Sequence, residues 1–542
     1  MRNLTEKQRA DAIKYALSGR QKDYRHFDNT LSQNEAVHFL EDAVVHPAQY
    51  RFLPFIQFSI AMTRYEWIKK EDSETTEQFS KRIFQEAHPN HKKRKISLTS
   101  HHDSLYFRYY AALLNSMYES YLSENNLTAV PTAYRAGKKM SNVKAAKEVV
   151  DRIWDAENCW IIKGDFHHFF DCINHQILKQ QLQLLMQCDR LPDEWFHLFQ
   201  GITQYRFVSK KQLKQLIKSG HLESSKGDRS KPFVKNREEL GALVHKKLLH
   251  AARNTVEGIP QGTSVSAVLA NIYMLSFDQT VNRLVSEMQG IYRRYSDDFI
   301  IVIPTNKMQD ISAAFSFKDR IIQLSKDMVD LTISKKKTGL YSFTKAEYRL
   351  EKVHEDTETR SPSSIGYLGF SFDGRTVSLR PGSINRYRYR GMRSLKRMAA
   401  LNNGIRQVRH IKNRAELVAS DRVWSSSKKK WVKSQSEHRM RLNRQLSNFN
   451  KFHSGHKLLE NAQITARFLV HKPTNPIQYP KDSSSKKFFG NFMSYALRAQ
   501  KTFSKQKGPK PHYNVAIQSQ SQRILAQVQK KQHTLKVSGR IK

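Results

Sequence analysis

Ile291-Tyr292-Arg293-Arg294-Tyr295-Ser296-Asp297-Asp298-Phe299-Ile300-Ile301-Val302-Ile303 is the stretch on which the reading of this chain turns. The flanks of the central tetrad are rich in β-branched and aromatic residues and predict two strands. Tyr295–Asp298 between them predicts a hairpin with two carboxylates at its tip. Like charges about 4 Å apart repel by about 4 kcal/mol at an effective dielectric near 20. A fold that holds them together neutralises them, through a raised pKa or a divalent metal. Alone, the tetrad fits a solvated turn equally well, because Asp is a common turn residue.

A third carboxylate tips the balance. Trp160-Ile161-Ile162-Lys163 predicts a short buried strand, and Asp165 closes it in Lys163-Gly164-Asp165-Phe166-His167-His168-Phe169-Phe170-Asp171. The 132 residues from Asp165 to Asp297 are enough for the two strands to meet in one sheet. Three carboxylates from adjacent strand ends can hold two hard cations through oxygen. Two such ions about 3.5–4 Å apart activate an attacking 3′-hydroxyl and stabilise a leaving pyrophosphate. His167 and His168 do not suggest zinc, since neighbours point in different directions and no third ligand stands at zinc spacing.

The 542 residues suffice for two to four domains, and 39% hydrophobic with 26% charged residues allows a buried core. No apolar run is long enough to cross a membrane, and the start lacks the apolar segment of a signal peptide. Thr5 and Gln8 instead form a capping-box pattern, with Gly19 as a helix stop. The three cysteines, Cys159, Cys172 and Cys188, support neither a disulfide framework nor a zinc knuckle, and a reducing cytoplasm is the expected setting. The net charge is +43, and residues Arg386 to Lys542 hold 36 Lys and Arg against 5 Asp and Glu. Charge so one-sided implies a polyanionic partner, nucleic acid rather than membrane.

Residues 1–90 read as mainly helical. Helices are expected through Leu105–Leu122, after Ser141, over 175–200 and near 308–330. A Lys-rich insert covers 209–250, and Gly258-Ile259-Pro260-Gln261-Gly262-Thr263-Ser264 opens a long helix. Basic helices follow Arg386, and residues 503–542 read as the least structured.

Five ordered segments together resemble the reverse transcriptase palm, in the branch of retron, group II intron and bacterial defence enzymes. They are Lys163–His175, Gly258–Tyr273, Tyr295–Asp298, Leu331–Thr338 and Tyr367–Gly374; Arg94–Asp103 and Tyr134–Lys138 resemble the fingers. The resemblance implies an α+β right-hand polymerase: a helical region over 1–90, fingers and palm over 91–385, a basic helical thumb over 386–502 and a basic tail over 503–542. It implies Asp165, Asp297 and Asp298 as catalytic metal ligands, with two magnesium ions or manganese in their place. Gln261 and Gly262 would line the incoming dNTP, Arg94 and Lys95 would hold its triphosphate, and Lys337 would assist the leaving pyrophosphate. Phe170 falls where the family places its steric gate, though a ring beside Phe169 also suits the core.

The Val-Thr-Gly signature of retron enzymes and the zinc-binding tail of group II enzymes are both missing. The run from Tyr367 to Arg390 resembles the abortive-infection and "unknown group" reverse transcriptases of bacterial antiphage systems. Members make DNA on a dedicated non-coding RNA, or without a template from a protein primer, and several form homo-oligomers. The basic tail favours the RNA. Tyr387, Arg388, Tyr389, Arg390 and Arg393 would contact nucleic acid, with Phe449, Phe452, Phe488 and Phe489 as further stacking rings; the aromatics suit a helical core equally well. A catalytically idle RNA-binding protein is the reading of a different class.

Overall fold

The computed structural model of the chain describes residues 4–19, 24–64, 75, 78, 90–135, 140–224, 231–334, 338–396, 398–399, 422–425, 430–433, 492–508 and 511–541. The chain forms two compact units. One takes Met1–Met140, Asn158–Ser342 and Val353–Thr359, and the other Ser141–Glu157, Phe343–Lys352 and Arg360–Lys542.

In the first unit, α1 (Glu6–Ser18) starts at the Thr5–Gln8 capping box and α2 (Gln33–Val45) at a second one, Ser32–Glu35. Both pack on α3 (His101–Glu124), which buries Leu105, Tyr106, Phe107, Tyr109 and Tyr110 in succession. A helix apolar on nearly every side is stable only at the centre of a core. The helical reading of residues 1–90 fails at β1 (Phe55–Arg64). This strand pairs antiparallel with β2 (Asn90–Leu98), from Ile56 opposite Leu98 to Arg64 opposite Asn90. A boundary at residue 90 would divide that strand pair.

β1 also pairs parallel with β4 (Arg206–Ser209), which pairs with β5 (Ala252–Arg253), so the fingers sheet runs β2-β1-β4-β5. The second sheet places β3 (Asn158–Asp165) beside β7 (Asp298–Pro304), and β7 beside β6 (Ile291–Tyr295). Behind it lie α5 (His175–Met186), α9 (Ser264–Ile272) and α10 (Leu275–Glu287). The long helix expected after Gly258 thus breaks in two at Tyr273–Met274.

A buried polar latch secures the fingers sheet to α3. Asp28 accepts from the amides of His101 and His102 at 3.0 and 2.9 Å and meets His102 Nδ1 at 2.8 Å. His26 Nε2 meets the Leu98 carbonyl at 3.3 Å, and Tyr24 donates to the Thr99 carbonyl at 2.7 Å. Asp103, fully buried, accepts from Tyr50 at 2.6 Å and from the Leu53 amide at 3.2 Å.

The second unit contains α4 (Asn142–Asp155) and a sheet of Ile365–Tyr367, Phe370–Phe372, Thr376–Leu379 and Asn514–Val515. A helix over 381–396 packs near the helices Phe492–Phe503 and Ile517–Val537. The tail is therefore not unstructured: Ile517, Ser521, Leu525, Val528 and Leu535 form the buried face of a 21-residue helix. Phe449, Phe452, Phe488 and Phe489 lie outside the described residues.

Candidate active site

The register of β6 and β7 puts Tyr295 opposite Asp298, so the hairpin loop is only Ser296 and Asp297. Ser296 has φ 58° while Asp297 stays at negative φ, the pattern of a tight II′ hairpin. On the other side of β7, β3 ends with Asp165 opposite Asp298. Directly opposed side chains share a face, with Cβ atoms about 4.5–5.5 Å apart. The Phe166 amide donates to the Asp297 carbonyl at 2.9 Å and ties the end of β3 to the turn. Asp165 is buried, and Asp297 and Asp298 are half-buried. Lys163, two residues back and so on the same face, brings Nζ to 3.9 Å from Asp298 Oδ1.

As these side chains stand, no three His, Cys, Asp or Glu among the described residues are gathered closely enough to hold an ion. The donor set nevertheless suits a hard cation. It consists of carboxylates from two strand ends and a turn, with a lysine ammonium drawn to one of them as a cation would be. His168 lies 3.5 Å from Asp171, and its ring meets that of His167 edge-on at 4.2 Å.

The expected nucleotide side assembles around the turn before α9. The Ser97 amide at the end of β2 donates to the Gln261 carbonyl at 2.9 Å, and Gln261 Nε2 donates to Asp171 at 3.3 Å. The Ile259 amide donates to the Phe170 carbonyl at 3.0 Å. Gly262 has φ 124°, and a Cβ there would lie 2.8 Å from the Ser97 carbonyl oxygen, so only glycine fits. Phe170, Gln261 and Gly262 therefore share one neighbourhood. Arg94 and Lys95 stand exposed on β2, three and two residues before Ser97. Phe170 is half-buried against the core and edge-on to Phe169 at 5.6 Å. Lys337 lies outside the described residues; the Ser334 amide before it donates to the Asp165 carbonyl at 2.9 Å.

The sequence model of the family described as reverse transcriptase (RNA-dependent DNA polymerase) matches residues 68–372, more than half of the chain, with all three aspartates inside the match. The chain belongs to the reverse transcriptase family. Among solved structures, it is similar to the telomerase of Candida albicans in complex with the TWJ fragment of telomeric RNA. That pair shares 15% identity and a TM-score of 0.30, over 54% of this chain and 44% of the other. Apo telomerase from Candida tropicalis gives 12% identity and a TM-score of 0.30 over 65% and 55%. A form of it truncated from the C-terminal domain gives 16% and 0.28 over 54% and 53%. The chain thus spans about half the length of those telomerase chains. No curated protein matches it.

The reverse transcriptase site has support that the sequence did not single out. Arg294, fully buried in β6, grips Asp278 of α10 with Nε at 2.9 Å and Nη2 at 2.6 Å. Tyr292 donates to the same carboxylate at 2.8 Å. The third nitrogen, Nη1, donates to the Ser296 carbonyl at 3.2 Å and the Asn271 side chain at 3.3 Å. Arg294 therefore holds from behind the loop that carries Asp297. Burial works against the guanidinium charge, yet the Asp278 carboxylate more than offsets it and raises the pKa, so the charge is kept. Two adjacent arginines, Arg293 and Arg294, in a short strand with Ile291, Tyr292 and Tyr295 were the available signal.

In the second unit, the expected nucleic-acid residues divide. Tyr389, Arg390 and Arg393 fall on one face of the helix 381–396, all exposed, and Arg386, which was not among the expected residues, joins them at i, i+3, i+4 and i+7. Arg388 points elsewhere, its Nε donating to Gln527 at 2.9 Å. Tyr387 must be corrected. It is 4% exposed and stacks on Phe492 at 4.3 Å, so it belongs to the core and has no face free for a base.

Proposed function

We propose that this reverse transcriptase is an RNA-directed DNA polymerase that copies a dedicated non-coding RNA in bacterial antiphage defence. The observation that carries the polymerase reading is the register: Asp165 faces Asp298 across two strands, with Asp297 on the turn between. Asp165, Asp297 and Asp298 would hold two magnesium ions. Once bound, these supply Lewis acidity toward the primer 3′-hydroxyl and the departing pyrophosphate. The chain's own groups do the rest. Gln261 and Gly262 would give the base and sugar a close backbone wall, Arg94 and Lys95 would offer charge to the triphosphate, and Phe170, whose carbonyl accepts from the Ile259 amide, would serve as the sugar gate.

The template assignment is supported by charge, since 36 cationic against 5 anionic residues from position 386 onward match a long polyphosphate. The defence role rests on the resemblance of Tyr367–Arg390, and with it come a cytoplasmic setting and a homo-oligomer. Primer extension with RNA template, dNTPs and magnesium tests the chemistry. Asp297→Asn with Asp298→Asn should lower the rate by about a thousand-fold or more. Sequencing the RNA that co-purifies tests the template, and plaque counts with the same double variant test the defence role.

A second reading, untemplated synthesis from a protein hydroxyl, is favoured by one cavity. Tyr15 and Tyr134, 46% and 47% exposed, line with Tyr295 an opening of about 570 Å³ adjoining the catalytic turn. Product that enters the aqueous phase only after protease treatment, and does not form with Tyr134→Phe, would support it. Product with a free 5′ end would end it.

A further inference from the structure

The insert between α6 (Asp193–Thr203) and the Pro-Gln-Gly turn has no task in the site just described. Residues 206–253 form β4, α7 (Lys210–Lys218), α8 (Arg237–His245) and β5. They have their own apolar cluster, in which Val208, Leu213, Leu216, Leu240 and Leu243 close on Ile56 of β1. The insert is thus a built platform on the fingers sheet. It carries 13 Lys and Arg against 4 Asp and Glu.

Four of those lysines are organised. Lys210, Lys211, Lys214 and Lys218 are exposed, and at 3.6 residues per turn they fall within an arc of about 100°. Leu213 and Leu216 are buried on the other side of the helix, and α7 contains no acidic residue. The stripe is aimed. Lys210 Nζ sits 4.6 Å from the centroid of the Phe58 ring in β1. Phe58 and Ile60 share a sheet face by alternation, and Ile60 is paired with Arg94. Lys210 and Arg94 therefore belong to the same face, the expected triphosphate side, and the other three lysines follow Lys210 along α7. It covers about 12 Å from Lys210 to Lys218.

We infer that this stripe holds the phosphate backbone of the uncopied, single-stranded RNA template ahead of the active site. The template must pass the incoming-nucleotide position before it pairs, and the stripe begins on the sheet face that carries Arg94. A single row of ammonium groups suits one flexible strand, and Lys recognises phosphate as a point charge without reading bases. The inference rests on the RNA-directed reading proposed above.

The test uses the full chain and the triple variant K211Q/K214Q/K218Q. Lys210 is kept because it packs on Phe58. RNA binding and single-nucleotide extension are measured on primer–template duplexes whose RNA overhang ahead of the primer end ranges from one to twelve nucleotides. The unsubstituted protein should bind more tightly as the overhang lengthens and then level off. The variant should lose that gain by about tenfold, and its salt slope on long overhangs should fall by about 2, the value for three phosphate contacts on a single strand. On the one-nucleotide overhang the two proteins should bind alike, and the rate at saturating template should be equal. Equal weakening at every overhang length would assign the lysines to the duplex and overturn the inference, as would no change at all. If the unsubstituted protein extends no primer, the polymerase reading fails, while the overhang dependence of binding still decides the stripe.

Discussion

At Arg294 the reverse transcriptase invests a buried ion pair in the geometry of one carbonyl. Arg294→Met alone strands Asp278 in the core and should cost about 3–5 kcal/mol. Arg294→Met with Asp278→Leu removes both charges and should recover most of that loss, because apolar replacements of buried pairs are often neutral. Polymerisation should stay impaired in the double variant, because the Ser296 carbonyl has lost its donor, with kcat reduced and the KM for dNTP little changed. Melting curves beside steady-state kinetics check this; recovery of kcat together with stability would make the pair purely structural. Phe170→Ala should narrow the preference for dNTP over rNTP by about tenfold or more, read as the ratio of kcat/KM values. Unchanged discrimination would return Phe170 to the core.

The latch that joins β2 to α3 holds two titrating groups of opposite sign. Burial raises Asp103 to about 7 from 3.8, and burial lowers His26 to about 4 from 6.5. Asp103 binds its proton more tightly when folded, so its contribution is full below pH 3.8 and lost as pH rises to 7. His26 binds less tightly when folded, so its contribution is lost as pH falls from 6.5 to 4. These one-proton slopes cancel between those limits. Burial works against the Asp28 charge, yet His102, His26 and the helix amides bring its pKa down to about 2, so its contribution disappears only in stronger acid. Asp103→Asn should unmask His26, giving stability that climbs by about 1.4 kcal/mol per pH unit between about pH 4 and 6.5. Denaturant titrations across that range check it, and a level profile in the variant would refute the cancellation. Little of this latch could be read from sequence, because His26, Asp28 and Asp103 meet only through tertiary packing. The Asp297–Asp298 hairpin was legible, because strand composition and a charged tip are local properties. β1 was not: Phe55–Arg64 mixes Gln, Ser and Thr among its apolar residues, and its partner lies beyond residue 89. Composition also hid the helix Ile517–Val537, whose few apolar residues become informative only once their spacing is followed.

Across the whole molecule, charge is the dominant physical property. A net charge of +43 predicts RNA binding that weakens steeply with salt, whatever the sequence bound. Replacing Arg386, Arg390 and Arg393 by Gln should weaken binding about equally on all RNA sequences and lower the salt slope by about 2 to 3. Sequence-dependent losses would mean that these side chains read bases. Both the charge and the location of this helix were legible from composition; which of its faces is buried was not, and that is why Tyr387 turns out to be a core residue while Tyr389 is 61% exposed.

The opposed carboxylates of β3 and β7 also bear on how the chain can be handled. Two carboxylates facing each other across paired strands, with Lys163 at 3.9 Å from Asp298, gather like groups at the sheet end. Added magnesium should raise the melting temperature, chelator should reverse the gain, and Lys163→Met should enlarge it. Occupancy of the centre thus becomes visible to a thermometer. A preparation that makes no DNA can be sorted into one that lacks its ions and one that lacks its substrate before any template is known.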